Sequence, residues 1–209
     1  MTEDIIVHGV EWTVKELFVY PNEFIYWSIQ IVMYPYMTGL VAGAFVLSSL
    51  YHVFGQKDLK EIAQFSLVSS LALLPVAALP LLLHLQQPLR AMEPLLTPHF
   101  TSAIAAFGIV FTAYALIVLS EIWFVYREYF VAQAQVLQGS SGFWNGLRRI
   151  VYTVLTIGAR DVSTEAISVD HKAARVLAAV GIPVACFLHG YAGFIFGSVK
   201  ANALWMSPL

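Results

Sequence analysis

The run FTSAIAAFGIVFTAYALIVLSEIWF, residues 100–124, carries one charged side chain, Glu121, and gives way to Tyr126-Arg127-Glu128. About 20 helical residues cross the hydrocarbon core of a bilayer, so this run predicts a transmembrane helix over about 100–126. Working outward, comparable apolar stretches lie at about 25–54, 62–85 and 172–199. The fold class that follows is all-α: an integral membrane helix bundle of about four transmembrane helices with interfacial amphipathic helices beside them. Composition agrees. The 209 residues are 59% hydrophobic and 11% charged, whereas a soluble domain is about 25% charged. A net charge of −2 offers no basic surface for nucleic acid. The single Cys186 sits in an apolar run, which excludes a disulfide framework.

Punctuation inside the runs predicts their local shape. Pro35 removes a backbone donor from the first span, and Gly39 and Gly43, four apart, predict a kinked helix that packs closely on a neighbour. Pro75, Pro80 and Pro183 interrupt the second and last spans. Residues 1–24 hold Glu3, Asp4, Glu11, Glu16 and Glu23 against Lys15, with Val10, Trp12, Leu17 and Phe18 between them, as in a segment lying on the membrane surface. This acidic start lacks the basic-then-apolar order of a cleavable signal, so the first span is expected to act as its own insertion signal. The stretch 143–158 has Phe143, Leu147, Ile150, Val151 and Val154 at helical spacing with Arg148 and Arg149 elsewhere, the pattern of a helix at the lipid headgroups. The loops after the first and third spans contain Lys57, Lys60, Arg127, Arg148, Arg149, Arg160, Lys172 and Arg175. The other side has Lys15, Arg90 and Lys200. Because cytoplasmic loops carry the excess of Lys and Arg, both termini are expected on the outer side of a prokaryotic cytoplasmic membrane.

Ionisable and polar groups at membrane depth are the candidate functional residues, each weighed against a structural role. His84 closes the second span beside Gln86, Gln87 and Arg90, and His99 opens the third at the same level. Tyr26, Trp27, Gln30 and Tyr34 belong to the outer half of the first span, and His189 and Tyr191 to the outer half of the last. Tyr and His can donate to carbonyl oxygens, and His also exchanges protons near neutral pH, so this level suits a quinone head. The alternative for Tyr26 and Trp27 is an aromatic belt. Glu121 lies about two turns from Arg127. It reads either as part of a proton relay with Arg127, Asp170 and His171 or as a carboxyl ion-paired to an arginine at the boundary. A second function class, a b-type cytochrome, would hold haem between His84 or His99 and His189, with His52 and His171 as an inner pair.

The last span, residues 181–205, GIPVACFLHGYAGFIFGSVKANALW, resembles the NrfD/PsrC family of quinone-interacting membrane subunits, in the branch that contains HybB and DsrP proteins. Residues 34–43, 83–90 and 97–102 resemble the family's first span, second-span end and third-span entrance, and the likeness covers about residues 24–209. The resemblance implies a chain that carries no haem or metal. It further implies exchange of electrons between menaquinone or ubiquinone near the outer face and an iron–sulfur, ferredoxin-like partner. That partner would serve a molybdopterin-type or hydrogenase catalytic subunit, or a multihaem cytochrome c. Tyr191 matches the family's quinone-contacting tyrosine. The histidine that some members place in the first span falls at Tyr34, so that contact is expected from Tyr34, His84 or His189. Family members have eight to ten helices, so this chain is expected to match only their N-terminal half.

Overall fold

In hydrocarbon every backbone amide needs a partner within the protein, and a helix supplies one to nearly every residue. The structure, a computed structural model, describes residues 29–84, 91–98, 103–139 and 141–197. Six α-helices follow one another there: α1 (Ile29–His52), α2 (Lys60–His84), α3 (Glu93–Leu96), α4 (Ala103–Val136), α5 (Phe143–Leu155) and α6 (Thr164–Gly197). Short 3₁₀ turns, Lys57–Leu59 and Leu137–Gly139, precede α2 and follow α4, and no strand occurs among the described residues. Helices α1, α2, α4 and α6 are long and apolar enough to cross a bilayer. The chain is thus an all-α membrane helix bundle with four spans. The N-terminal segment 1–24, with Tyr26 and Trp27, lies outside the described residues.

Two spans run longer than their apolar stretches. Helix α4 continues past Tyr126 to Val136, and α6 begins at Thr164, before the apolar run that opens near Lys172. At ~1.5 Å per residue, 34 residues reach about 51 Å, well beyond a ~30 Å hydrocarbon core. Hydropathy marks only the part of a helix in lipid, whereas capping sets where it starts. The Ser163 hydroxyl accepts the Ala166 N–H at 3.2 Å and so caps α6. Asp161 Oδ1 accepts the Ser163 N–H at 2.8 Å. These bonds from Ser163, backbone first, with the charge of Arg127 adding, hold the Asp161 carboxyl below the usual carboxylate range.

The helices run unbroken through Pro35, Pro75, Pro80 and Pro183. Each proline leaves the carbonyl four residues earlier without its helical donor. Hydroxyls tie themselves back to the helix elsewhere: Thr38 donates to Pro35 O at 3.0 Å, Ser49 to Phe45 O at 3.0 Å and Thr112 to Gly108 O at 2.8 Å. Such bonds let polar side chains sit in apolar spans at little cost.

Two compact units divide the chain. The first comprises residues 1–42, 72–112 and 187–209. Its core contains Ile31, Tyr34, Leu74, Ala77, Ala105, Leu188 and Ala192. Here α1 and α6 run antiparallel: Tyr34 meets Phe196, and five residues further along α1 Gly39 meets His189. Leu95 of α3 packs over Gly108 of α4, where an added Cβ would stand 3.0 Å from Leu95 Cδ2. The second unit comprises residues 43–71 and 113–186. Fully buried Phe45 lies edge-on to Tyr114, with ring centroids 5.5 Å apart, and Val118, Leu67, Ala174 and Ala178 are buried as well. Large apolar side chains such as Val46, Phe65, Leu116, Leu119, Val176 and Val180 face outward, as suits helices bathed in lipid.

Small residues permit the closest helix approach. Of the glycine pair singled out in the first span, Gly39 backs onto His189, while none of the described residues lies within 4 Å of a Cβ added at Gly43. The position that needs glycine is Gly181, where an added Cβ would stand 2.7 Å from Phe45 Cε1 and 3.2 Å from Ile117 Cγ2. Gly181→Ala is expected to lower the stability of the purified chain in detergent by about 1–3 kcal/mol through overpacking. Gly43→Ala should leave the thermal midpoint unchanged or raise it. Equal effects of the two substitutions would contradict this packing.

Candidate functional site

Burying a hydroxyl without a partner is costly, so an orphaned polar atom in a span points to something that completes it. Tyr34, on α1 in the first unit, is 3% exposed, and its hydroxyl has no hydrogen-bond partner among the described residues. Its ring stands edge-on to Phe107 of α4 (centroids 6.0 Å, interplanar angle 73°) and tilted to Phe196 of α6 (6.5 Å). Phe107 in turn contacts Phe111 at 6.2 Å. Aromatic rings thus pack around a donor that has no partner among the described residues. His189 lies on the same α1–α6 seam, its ring on Gly39, where an added Cβ would be 3.5 Å from its Cε1. Tyr34 and Gly39 are five residues apart, which sets their backbones about 7–8 Å apart along the α1 axis and about 140° apart around it. His189 is otherwise exposed.

Tyr191 takes a different face. Two residues beyond His189, it is turned by about 200° around α6, half-buried and stacked between Phe187 and Phe194, at 5.7 Å from each ring. Tyr34 and His189 are therefore brought onto one seam, and Tyr191 is on the other flank of the helix. Gln30 sits half-buried one turn before Tyr34. Of the remaining residues predicted at this level, Arg90 and His99 lie outside the described residues, and His84 ends α2 with its side chain outside them.

The second unit holds the other candidates. Glu121 is 0% exposed, and neither carboxyl oxygen has a hydrogen-bond partner among the described residues. One and two turns along the same face of α4 lie Val118 and Tyr114, whose hydroxyl is 3.4 Å from Ser70 Oγ of α2. Ser48 Oγ of α1 is likewise buried without a partner among the described residues. Arg127, in contrast, is fully engaged. Its Nε and Nη2 donate to Asp170 Oδ2 at 2.7 and 2.6 Å, and its Nη1 donates to the Asp161 carbonyl at 2.8 Å. This buried pair ties α4 to α6 and to the segment before α6. Its acceptors are Asp170 and Asp161, not Glu121. His171 next to it is exposed. His52 keeps Nε2 buried without a partner among the described residues, and its carbonyl accepts a bond from Arg175 Nε at 3.2 Å.

Sequence reading passed over Tyr114, Ser70, Ser48 and Asp161. The signal was present for the hydroxyls, since Ser48-Ser49 and Ser69-Ser70 interrupt apolar runs, but no pattern says which serine faces inward. Among the described residues no group of three His, Cys, Asp or Glu side chains converges as a metal site would require.

Four apolar spans with polar side chains buried at depth define a multi-pass membrane protein built around internal polar groups. The chain belongs to the polysulphide reductase NrfD family, whose pattern matches residues 20–209. Over 184 residues it is 32% identical to a selenate reductase subunit of Mesobacillus selenatarsenatis, covering 88% of this chain and 42% of that protein. Over 184 residues it is 26% identical to a putative dimethyl sulfoxide reductase membrane subunit of Halobacterium salinarum, covering 88% of this chain and 38% of that protein. The chain spans about two fifths of the length of these relatives.

Removing one partner of a buried ion pair strands the other charge. Asp170→Leu is expected to cost about 3–5 kcal/mol, and the double substitution Arg127→Met with Asp170→Leu much less, because no uncompensated charge remains. Thermal denaturation of the two variants in detergent measures the difference. A double variant as unstable as the single one would show that packing rather than charge governs the site.

Proposed function

We propose that this chain is a quinone-reactive membrane subunit of a respiratory oxidoreductase, exchanging electrons between menaquinone or ubiquinone and an iron–sulfur partner subunit. The observation that carries the reading is the buried hydroxyl of Tyr34, unpartnered among the described residues, beside the rings of Phe107 and Phe196. A quinone head needs donors to its carbonyl oxygens and apolar walls for its ring and tail. The residues on the α1–α6 seam fit that need. Tyr34 donates to one carbonyl oxygen, and His189 both donates and exchanges protons near neutral pH. In the sequence Gln30, His84, Arg90 and His99 belong to the same outer level. When bound, the quinone supplies a two-electron, two-proton couple, and the protein orients it and handles its protons. Tyr191, which matches the family's quinone-contacting tyrosine, serves from the other flank of α6 with Phe187 and Phe194 as its stacking surface.

Partners follow from kinship. The relatives are named as subunits of selenate and dimethyl sulfoxide reductases, which supports a chain that hands electrons to a catalytic subunit through a neighbouring iron–sulfur protein. A molybdopterin-type catalytic subunit suits those names. The asymmetry of Lys and Arg supports a prokaryotic cytoplasmic membrane, with the termini and the quinone level on the outer side. We assign proton exchange on the other side to Glu121, with the Arg127–Asp170 pair as the scaffold beside it and His171 as the water-facing group.

A hydroxyl that is unsatisfied without quinone makes a two-sided prediction. Tyr34→Phe keeps the ring and removes the buried donor, so the quinone-free chain should be as stable as before or more stable. In the complete complex the same substitution should raise the KM for quinol or quinone about tenfold, the worth of one lost hydrogen bond. Tyr191→Phe and His189→Gln should also impair quinone turnover. Turnover untouched by all three would remove the quinone assignment, and unchanged kinetics for Tyr34→Phe alone would move the head off this seam.

A further inference from the structure

Helix α5 is built the wrong way round for a soluble protein. Its stripe of Phe143, Leu147, Ile150, Val151 and Val154 recurs at helical spacing and is exposed throughout, Phe143 at 79% and Val154 at 68%. The opposite, more polar side is the one held by the protein. Tyr152 packs its ring against Tyr129 (6.1 Å) and Phe130 (6.3 Å) of α4, and Thr156 is buried. Trp123 Nε1 donates to the Leu155 carbonyl at 2.9 Å, satisfying one of the free carbonyls at the helix end. Beyond it, Arg127 holds the Asp161 carbonyl. With both the helix and its exit tied to α4, the stripe cannot rotate inward.

The chain then turns through two left-handed residues, Ile157 (φ 51°) and Gly158 (φ 80°). Glycine adopts this conformation freely, but for a β-branched side chain it is strained. Ile157 is 77% exposed, so little packing among the described residues compensates, and the strain carries one more large apolar side chain outward beside the stripe. Charge is equally one-sided. Residues 143–160 include Arg148, Arg149 and Arg160 and no Asp or Glu. Around the helix the two central arginines lie on either side of Tyr152, turned away from the stripe, as the polar face of an interfacial helix requires. Glu128 on α4 is the acid next to this contact, and Asp161 is already bonded to Ser163 and Arg127.

We propose that α5 is a binding element for anionic phospholipid: its apolar stripe, extended by Ile157, enters the acyl region, and Arg148 and Arg149 take the headgroup phosphates. The occupant follows from charge and setting together. The helix connects two membrane spans, so a bilayer lies within its reach, and an acid-free cationic helix beside exposed Phe, Trp, Leu and Ile complements an anionic lipid surface. The consequence is that lipid at this site steadies the segment that presents Asp161 to Arg127.

The test uses the full chain with Cys186→Ser, reconstituted in vesicles of phosphatidylcholine alone or of phosphatidylcholine and phosphatidylglycerol at two to one. Single spin labels go at positions 147, 150, 154 and 153. Labels at 147, 150 and 154 should collide with oxygen and be shielded from a water-soluble nickel relaxer, at about 5–10 Å below the phosphates. The label at 153 should do the reverse, which also reports that the helix has formed. Arg148→Gln with Arg149→Gln should reduce the retained preference for phosphatidylglycerol over phosphatidylcholine roughly ten- to thirtyfold. Stripe labels open to nickel in both vesicles, the result expected of a face reserved for a protein partner, would overturn the proposal. So would a lipid preference unchanged by the double substitution.

Discussion

A bilayer gives a polypeptide no water to fall back on, so every donor and acceptor at depth must be satisfied from inside the protein or left at a cost of several kcal/mol. Nearly everything in this chain is a response to that constraint. The backbone answers by forming four long helices. Buried hydroxyls such as Thr38 and Ser49, and that of Thr112, answer by bonding to the turn before them. Arg127 and Asp170 answer by neutralising each other. Against this background Tyr34, Ser48, His52 and Glu121 stand out, because each buries a polar atom with no partner among the described residues. A structure that satisfies its polar groups so consistently gives meaning to its exceptions.

The exceptions occur in two settings of different chemical character. Around Tyr34 the neighbours are aromatic rings, and the polar groups, a phenol and an imidazole, lie where α1 meets α6. On the face of α4 that carries Glu121 the nearest buried hydroxyl is that of Tyr114, two turns away and 3.4 Å from Ser70 Oγ. In the second unit the helices approach closely at Gly181. That glycine acts by leaving space, which is why its effect is visible only through the Phe45 ring that occupies it.

The proposed function implies a division of labour in which a membrane chain handles quinone and protons while other subunits handle the substrate. The Arg127 clamp has a further use in that scheme. It joins α4, α6 and the segment leaving α5 at one point, so α5 and the buried pair form one mechanical element.

The all-α class, the four spans and some of the polar residues at depth, Tyr34 and Glu121 among them, were legible in the sequence, because transfer into lipid depends on the local run of side chains and hardly on what they touch; Tyr114, Ser70 and Ser48 were not, since hydropathy does not say which hydroxyl faces inward. Helix ends were less legible: α4 and α6 overrun their apolar stretches, since a cap such as Ser163 or a tie such as Trp123 to Leu155 operates outside the hydrocarbon. The pairings belong to tertiary structure alone. Nothing in the order of residues says that Arg127 turns to Asp170 and Asp161 rather than Glu121, that His189 shares a seam with Tyr34 while Tyr191 lies on the other flank of α6, or that Gly181 and not Gly43 makes room for a neighbour. Those outcomes depend on which face each helix presents to the next, and rotation about a helix axis is decided by the packing of all of them at once.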